Sequence, residues 1–379
     1  MDTSDRVWTL AREAEWILRG RQGQDVRLRD PSLIAQRDRS LVARCAVTGW
    51  DGVGSVVIKR NEGDDARGFT DWASLQFLST LAAAAGVAPQ FYAGAVTERL
   101  VVMEDLGPSR SLADVLDSGS AVTVVGVLRA LAISMARLVE ATAPHEGAYE
   151  RLRSALPGAE GLGRQSEAMR WQGALGRVEH WADALGVRLP TSFGAACEHI
   201  ASVYAEPGIY LAFSHGDPAP SNNHLAGDRV SLVDFEYAGY RHALYDLTAW
   251  DTLCPLPTGW VAAMEHAFRR RLAAGPLGEP LAHVEGYREA RATMCAYRAL
   301  AMLTWFSPEI LRQDRGWVSE WTQREALIST TLRLRRTTAG VAVLEPLTEL
   351  GGALAEAVQA RWPELGDGQP HWPSSVGAS

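Results

Sequence analysis

The sequence predicts an α+β protein of two lobes, with a small N-terminal lobe built on an antiparallel sheet and a large, mostly helical C-terminal lobe. Three observations carry this. The chain has 379 residues, too many for one ordinary core and suited to two. From Val26 to Arg60 the apolar residues come in short β-like runs, VRLRD, SLIAQ, SLVARCAV and SVVIKR, whereas beyond Gly107 the pattern turns helical and stays so for most of its length. The stretch Tyr210 to Asp246 interrupts that helical part with a polar loop and a short hairpin. The expected boundaries are 1–105 for the first lobe, 106–363 for the second and 364–379 for a disordered tail rich in Gly, Pro and Ser.

The elements follow in order. Val7, Leu10, Ala11, Ala14 and Leu18 repeat with the spacing of an amphipathic helix, and Thr3 or Ser4 is available to cap it. An antiparallel sheet follows, with Lys59 on its third or fourth strand and Gly49-Trp50-Asp51-Gly52 as a turn. Phe69 to Ala85 reads as a helix closed by Gly86-Val87-Ala88-Pro89, and Phe91 to Ala95 with Leu100 to Met103 as a hairpin. Val122 to Ala141 suits the central helix of the second lobe. Glu146 to Tyr204 reads as a helical insertion, either a substrate wall or scaffold alone, and Leu344 to Trp362 as a last helix.

Composition narrows the partners. A net charge of −8 argues against nucleic acid and favours a cationic or neutral ligand. Cys45, Cys197, Cys254 and Cys295 are too scattered for metal-ligand spacing and read as reduced thiols. The N-terminus lacks an apolar signal core and no unbroken apolar run reaches membrane length, so a cytoplasmic protein that does not enter membranes is expected, as a monomer or homodimer. Of 37 basic residues only Lys59 is lysine, and Asn occurs only at 61, 222 and 223. A compact ammonium is not interchangeable with a planar guanidinium at a crowded phosphate site, so this scarcity marks Lys59 and Asn222.

The chemistry lies in the interrupting stretch. His215-Gly216-Asp217 is followed five residues after the aspartate by Asn222, and the apolar run Val230 to Val233 ends on Asp234-Phe235-Glu236. Phosphoryl transfer from ATP requires a carboxylate that orients and deprotonates the acceptor hydroxyl, here Asp217. It also requires an amide oxygen and a second carboxylate to hold Mg²⁺, here Asn222 and Asp234. His215 is expected to pin the loop by hydrogen bonds.

The pattern H-G-D-x-x-x-x-N, an apolar strand and then D-F-E resembles the aminoglycoside phosphotransferase and choline kinase branch of the protein-kinase-like fold, over about Arg27 to Trp250. The resemblance implies that Lys59 pairs with the nucleotide phosphates, that Asp71 replaces the usual helix glutamate as its partner, with Glu62 as the alternative, and that the backbones of Glu104 and Leu106 form the adenine hinge. No glycine lies between Gly23 and Gly49, so the phosphate-covering role falls to the turn Gln36 to Ser40, through its backbone, the Ser40 hydroxyl or an arginine. An ordinary polar turn is the plain alternative. Gly216 stands where protein kinases carry Arg, which implies a small-molecule kinase that is always switched on. The implied acceptors are a hydroxyl of an aminoglycoside or other antibiotic or an amino sugar, and alternatively a choline-like amino alcohol or a sugar. An inactive nucleotide-binding regulator and a protein kinase are the rival readings. The first would lose one of Lys59, Asp217, Asn222 or Asp234, and the second would keep Arg beside the aspartate and an A-P-E segment.

Overall fold

A computed structural model describes residues 2–369 apart from 23, 64, 161–162, 255, 276 and 319–320. Helix α1, Thr3–Gln22, is amphipathic as its spacing requires, and Asp2 rather than Thr3 or Ser4 accepts from a free amide at its start, that of Ser4, at 2.6 Å. Strands β1 (Arg27–Arg37), β2 (Ser40–Thr48) and β3 (Ser55–Asn61) follow. Helix α2 is Asp65–Ser79, and β4 (Phe91–Ala95) and β5 (Leu100–Glu104) complete an antiparallel sheet in the order β1-β2-β3-β5-β4. The runs VRLRD and SLIAQ are thus one strand, which absorbs Pro31 at a register shift between Arg29 and Ser32.

Strand alternation gives this sheet two unlike faces. One carries Leu41, Ala43, Cys45, Val56, Ile58, Leu100 and Val102, and Leu10, Ala14 and Leu18 of α1 pack on it in one core. The other carries Val42, Lys59 and Val101, which stand side by side in register across β2, β3 and β5.

Downstream come β6 (Arg110–Ser111), α3 (Leu112–Ser118), α4 (Ala121–Thr142), α5 (Glu146–Ser154), α6 (Arg164–Ala174), α7 (Gly176–Ala184) and α8 (Phe193–Ala205). After them lie β7 (Leu211–Ser214), β8 (Asn223–Ala226), β9 (Arg229–Leu232) and β10 (Gly239–His242). Helices α9 (Ala249–Thr252), α10 (Thr258–Leu272), α11 (Gly278–Ala282) and α12 (Val284–Leu303) precede a short hairpin, β11 (Gly316–Val318) and β12 (Trp321–Thr322), and α13 (Gln323–Thr338) and α14 (Glu345–Arg361) close the chain. This is the α+β, kinase-like architecture that the sequence predicts.

The chain divides into two units, but not at a single boundary near 105. The first gathers Met1–Leu112, Ala141–Glu160 and His215–Gly239, and the second gathers Ala113–Glu140, Gly161–Ser214 and Tyr240–Ser379. Within the first unit the reason is visible in its hydrogen bonds. The Leu232 amide donates to Val87 O at 2.8 Å and the Ser231 hydroxyl to Gly86 O at 3.0 Å, while buried Arg153 of α5 donates to Ala66 O and Thr70 Oγ1 of α2.

The second unit buries aromatic and charged groups together. Arg241 donates to Glu167 and to the Tyr204 hydroxyl, Tyr204 stacks on Tyr297 at 4.3 Å between centroids, and Arg298 lies 3.8 Å from Asp246. Trp250, Trp260 and Trp321 are buried, in keeping with the core role usual for tryptophan at helical spacing.

Two expectations need adjustment here. A window within Ala121–Ser154 has a mean hydropathy of 1.8, enough by length and composition to cross a membrane, although Arg129 and Arg137 interrupt its apolar residues. Within the fold 56% of that window is buried. The segment before residue 370 is hydrogen-bonded, with Gln369 donating to Ser329 Oγ at 3.1 Å and the Trp321 indole to Gly368 O at 3.0 Å. The remainder of the expected tail, 370–379, lies outside the described residues.

Because Leu10 is fully buried between α1 and the sheet, Leu10→Ala should destabilise the protein by about 2–5 kcal/mol in denaturant unfolding. A loss under about 1 kcal/mol would mean that α1 is not part of this core.

Candidate active site

Lys59 leaves β3 on the face opposite α1. Its Nζ lies 2.7 Å from Asp71 Oδ2 and 2.6 Å from Asp234 Oδ1. Burial by itself would lower the lysine pKa, but the two carboxylates more than offset this and raise it, so the ammonium stays charged. Asp71 is 2% exposed, and its second oxygen accepts from the Phe235 amide at 2.9 Å. The aspartate expected to replace the usual glutamate therefore reaches Lys59 despite its shorter side chain. Glu62, the alternative partner, pairs with Arg6 instead.

Asp234 has φ +67, a left-handed backbone conformation unusual for any residue but glycine. The neighbouring contacts fix it there: the Val233 amide donates to Asn222 O at 2.9 Å, and the Phe235 amide is held by Asp71. Burial would raise the Asp234 carboxyl pKa, but Lys59 outweighs it and holds the group below the usual carboxylate range. Glu236 goes the other way, its pKa raised by burial and then by the nearby charge of Asp234.

The loop that carries Asp217 is held from within. The His215 ring is fully buried; Nε2 lies 2.9 Å from Val233 O, and Nδ1 accepts from the Asp217 amide at 3.3 Å. Those two contacts assign the proton to Nε2 and make the histidine a brace between loop and strand. Gly216 has φ +86, and a Cβ there would fall 2.1 Å from Tyr237 O. A side chain is thus excluded on geometric grounds where protein kinases carry Arg. Pro220–Asn222 forms one 3₁₀ turn. Asn222 Nδ2 donates to Asp217 O at 3.1 Å, so both ends of the Asp217 main chain are fixed. Asn223 is fully buried and donates to Pro218 O and Ala219 O, a structural role inside the loop.

Lys59, Asp71, Asp217, Asn222 and Asp234 all belong to the first unit, tied by direct contacts or through the 215–235 hydrogen bonds. Asp234 and the Asn222 amide are hard oxygen donors of the kind Mg²⁺ takes, and that ion needs only one or two protein groups when phosphates and water supply the rest. Ser40 starts β2 opposite Arg37 and Asn61, but the groups of this hairpin that meet the acids are arginines. Arg37 Nη1 lies 3.9 Å from Asp234 Oδ2 and Arg39 Nη2 lies 3.3 Å from Glu236 Oε1.

The expected hinge is placed less simply. The Glu104 amide is committed to Gln90 O at 2.8 Å, and its side chain accepts from the Gln90 amide. With Leu106 it lines a cavity of about 550 Å³ shared with Gln90, Tyr92 and Arg229, and not with Lys59 or Asp234. Between these two residues Asp105, which sequence reasoning missed, organises the segment. It accepts from Arg44 Nη2 at 2.8 Å, from Ser55 Oγ at 2.7 Å and from the Gly107 amide at 2.9 Å, and its Oδ2 lies 2.7 Å from Arg44 Nε. Burial would raise its pKa, and the bonds from Arg44, Ser55 and Gly107 bring it below the usual range. The only sequence signal for this was an acid immediately after the strand run LVVME.

A sheet with a strand lysine, a helix acid, an H-G-D loop and a D-F-E strand end define a phosphotransferase of kinase-like fold. Residues 38–292 match the phosphotransferase enzyme family APH, and the chain belongs to that family. No curated protein matches it in sequence. Among solved structures it is similar to a choline/ethanolamine kinase family protein from Mesorhizobium loti, at 15% identity and a TM-score of 0.45, covering 86% of this chain and 92% of that one. It is similar also to a macrolide 2′-phosphotransferase from Brachybacterium faecium (16%, 0.45, 80% and 92%) and to an ethanolamine kinase from Plasmodium vivax (12%, 0.45, 84% and 84%).

Two outcomes follow from this geometry. Gly216→Ala should lower stability by about 2 kcal/mol or more in thermal or denaturant unfolding, since it adds both a strained φ and a backbone clash. Neutral behaviour would show that the loop relaxes around a side chain. The Asp105 carboxyl, lower in pKa when folded, contributes stability that is complete above its unfolded pKa and is lost as pH falls through the folded value. Asp105→Asn should therefore flatten the acid limb of the stability profile, and an unchanged limb would remove Asp105 from it.

Proposed function

We propose that this protein transfers the γ-phosphoryl group of ATP to a hydroxyl of a small molecule. The observation that supports this best is the shared contact of Lys59 with Asp71 and Asp234, next to a loop whose hydrogen bonds fix Asp217 and Asn222. In this reading Lys59 binds the nucleotide phosphates, Asn222 and Asp234 hold Mg²⁺, and Asp217 orients the acceptor hydroxyl and accepts its proton. Bound Mg²⁺ would neutralise charge on the transferring phosphate. Asp71 keeps the ammonium in place, and His215 keeps the main chain of Asp217 fixed. The Glu104 and Leu106 segment serves the base through those backbone groups that the sheet leaves available, and Ser40 stands at the phosphate-side hairpin. The net charge of −8 favours a cationic acceptor such as an aminoglycoside or amino sugar, with other antibiotics, choline-like amino alcohols and sugars as the alternatives.

The test is acceptor-dependent ADP release from Mg·ATP with pooled aminoglycosides, macrolides, amino sugars and amino alcohols. Asp217→Ala should reduce transfer at least about a hundredfold while Mg·ATP still binds, and Asp234→Ala should abolish Mg²⁺-dependent nucleotide binding. Normal acceptor-dependent turnover by the Asp217→Ala protein would sink the mechanism.

A further inference from the structure

The β1–β2 hairpin holds a position that, in a phosphotransferase with a glycine-rich loop, is filled by backbone amides lying close to the phosphates. That close approach depends on residues without a Cβ. Here the whole span between Gly23 and Gly49 has no glycine, so the close backbone approach of a glycine-rich loop is disfavoured and side chains at the tip are the groups with the reach to meet the phosphates. Two long cationic ones point the right way. Arg37 and Arg39 flank the tip of the hairpin, and each faces one carboxylate of the Asp234-Phe235-Glu236 strand end.

The tip is built to aim them. Arg37 pairs with Ser40 across the turn, and the Arg39 carbonyl accepts from the Glu62 amide at 2.8 Å, which fixes its backbone to the end of β3. Beside Glu236, the Tyr237 ring carries Arg67 on its face at 4.7 Å. Arg37, Arg39, Arg67 and Lys59 thus converge around Asp71, Asp234 and Glu236, and Asp38 is the only acid at the tip itself.

The ion pairs the two arginines make are of the weak kind. Arg37 is 67% exposed and 3.9 Å from its partner, and Arg39 is 47% exposed. Exposed pairs of this sort contribute little and exchange readily, whereas a guanidinium fork on phosphate oxygens forms short charge-assisted bonds. A cation on Asp234 would moreover remove the charge that attracts Arg37.

We propose that Arg37 and Arg39 bind the polyphosphate of the nucleotide in place of a glycine-rich loop, exchanging their pairs with Asp234 and Glu236 for phosphate oxygens. This rests on the phosphotransfer reading and adds to it the groups that distinguish a nucleoside triphosphate from a monophosphate.

The experiment is calorimetric binding of Mg·ATP, Mg·ADP and AMP to the full-length protein and to its Arg37→Met, Arg39→Met and Arg37→Lys variants. Each Met variant should weaken Mg·ATP about tenfold or more, with AMP changed less than about twofold and Arg37→Lys intermediate. Hydrogen exchange of residues 36–41 should slow on Mg·ATP addition in the unaltered protein and less so in the variants. Unchanged Mg·ATP affinity in both Met variants overturns the proposal, and so does an equal loss for all three nucleotides, which would mark the arginines as structural. Failure of the folded, unaltered protein to bind Mg·ATP would instead overturn the phosphotransfer reading, and this proposal with it.

Discussion

The first unit depends on one ammonium group. Lys59 sits between two carboxylates from different parts of the chain, Asp71 on α2 and Asp234 after β9, at 2.7 and 2.6 Å. Asp71 is almost wholly buried; without the ammonium, two acids would share a poorly solvated space, with like-charge repulsion added to desolvation. The lysine therefore does more than present a charge to a ligand. It ties the strand end with Asp234 to the sheet, alongside the bonds from Leu232 to Val87 and from Ser231 to Gly86 that hold the segment His215–Gly239 in the same unit. Asp71 completes the joint by taking the Phe235 amide, so one side chain fixes both the partner lysine and the strained turn at Asp234.

The loop depends on that joint through backbone contacts. Val233 lies next to Asp234, and its amide and carbonyl meet Asn222 and His215 respectively. His215 in turn accepts from the Asp217 amide. Displacing the strand end would move three candidate functional groups at once, which is the rigidity a site needs if its parts must meet a reacting phosphate in fixed register. Gly216 belongs to the same arrangement. It stands where protein kinases carry Arg, and there is a local reason for its lack of a side chain, the approach of Tyr237 O into the space a Cβ would fill.

Much of this was legible because the informative residues are rare or periodic. A single lysine, two asparagines in one loop and the H-G-D and D-F-E patterns marked the candidate site, and the change from strand-like to helical periodicity located the sheet and α1. What escaped was contact between residues far apart in sequence. Nothing near Asp105 announces Arg44, which is 61 residues away, and nothing in the turn at Arg37 to Ser40 announces Glu236, 197 residues from Arg39. Each unit is assembled from several separate stretches for the same reason. A boundary drawn along the chain cannot anticipate that 215–239 returns to the sheet, since the bonds that bring it back join Val87 to Leu232 and Lys59 to Asp234.

The extreme preference for arginine becomes intelligible at this level. Arg44 binds both oxygens of Asp105, and Arg153 reaches carbonyls at Ala66, Leu156, Pro157 and Gly158. These are tasks for a planar group with several donors in fixed directions. Between Asp71 and Asp234 the requirement is the opposite. The donor must approach two carboxylates closely from one point, on a side chain only 16% exposed, and a guanidinium fork is broader than the single ammonium that meets both. A chain that drifts toward arginine wherever geometry permits keeps lysine where geometry does not. The one position that resisted is the one that joins the sheet, the helix and the Asp234 strand end.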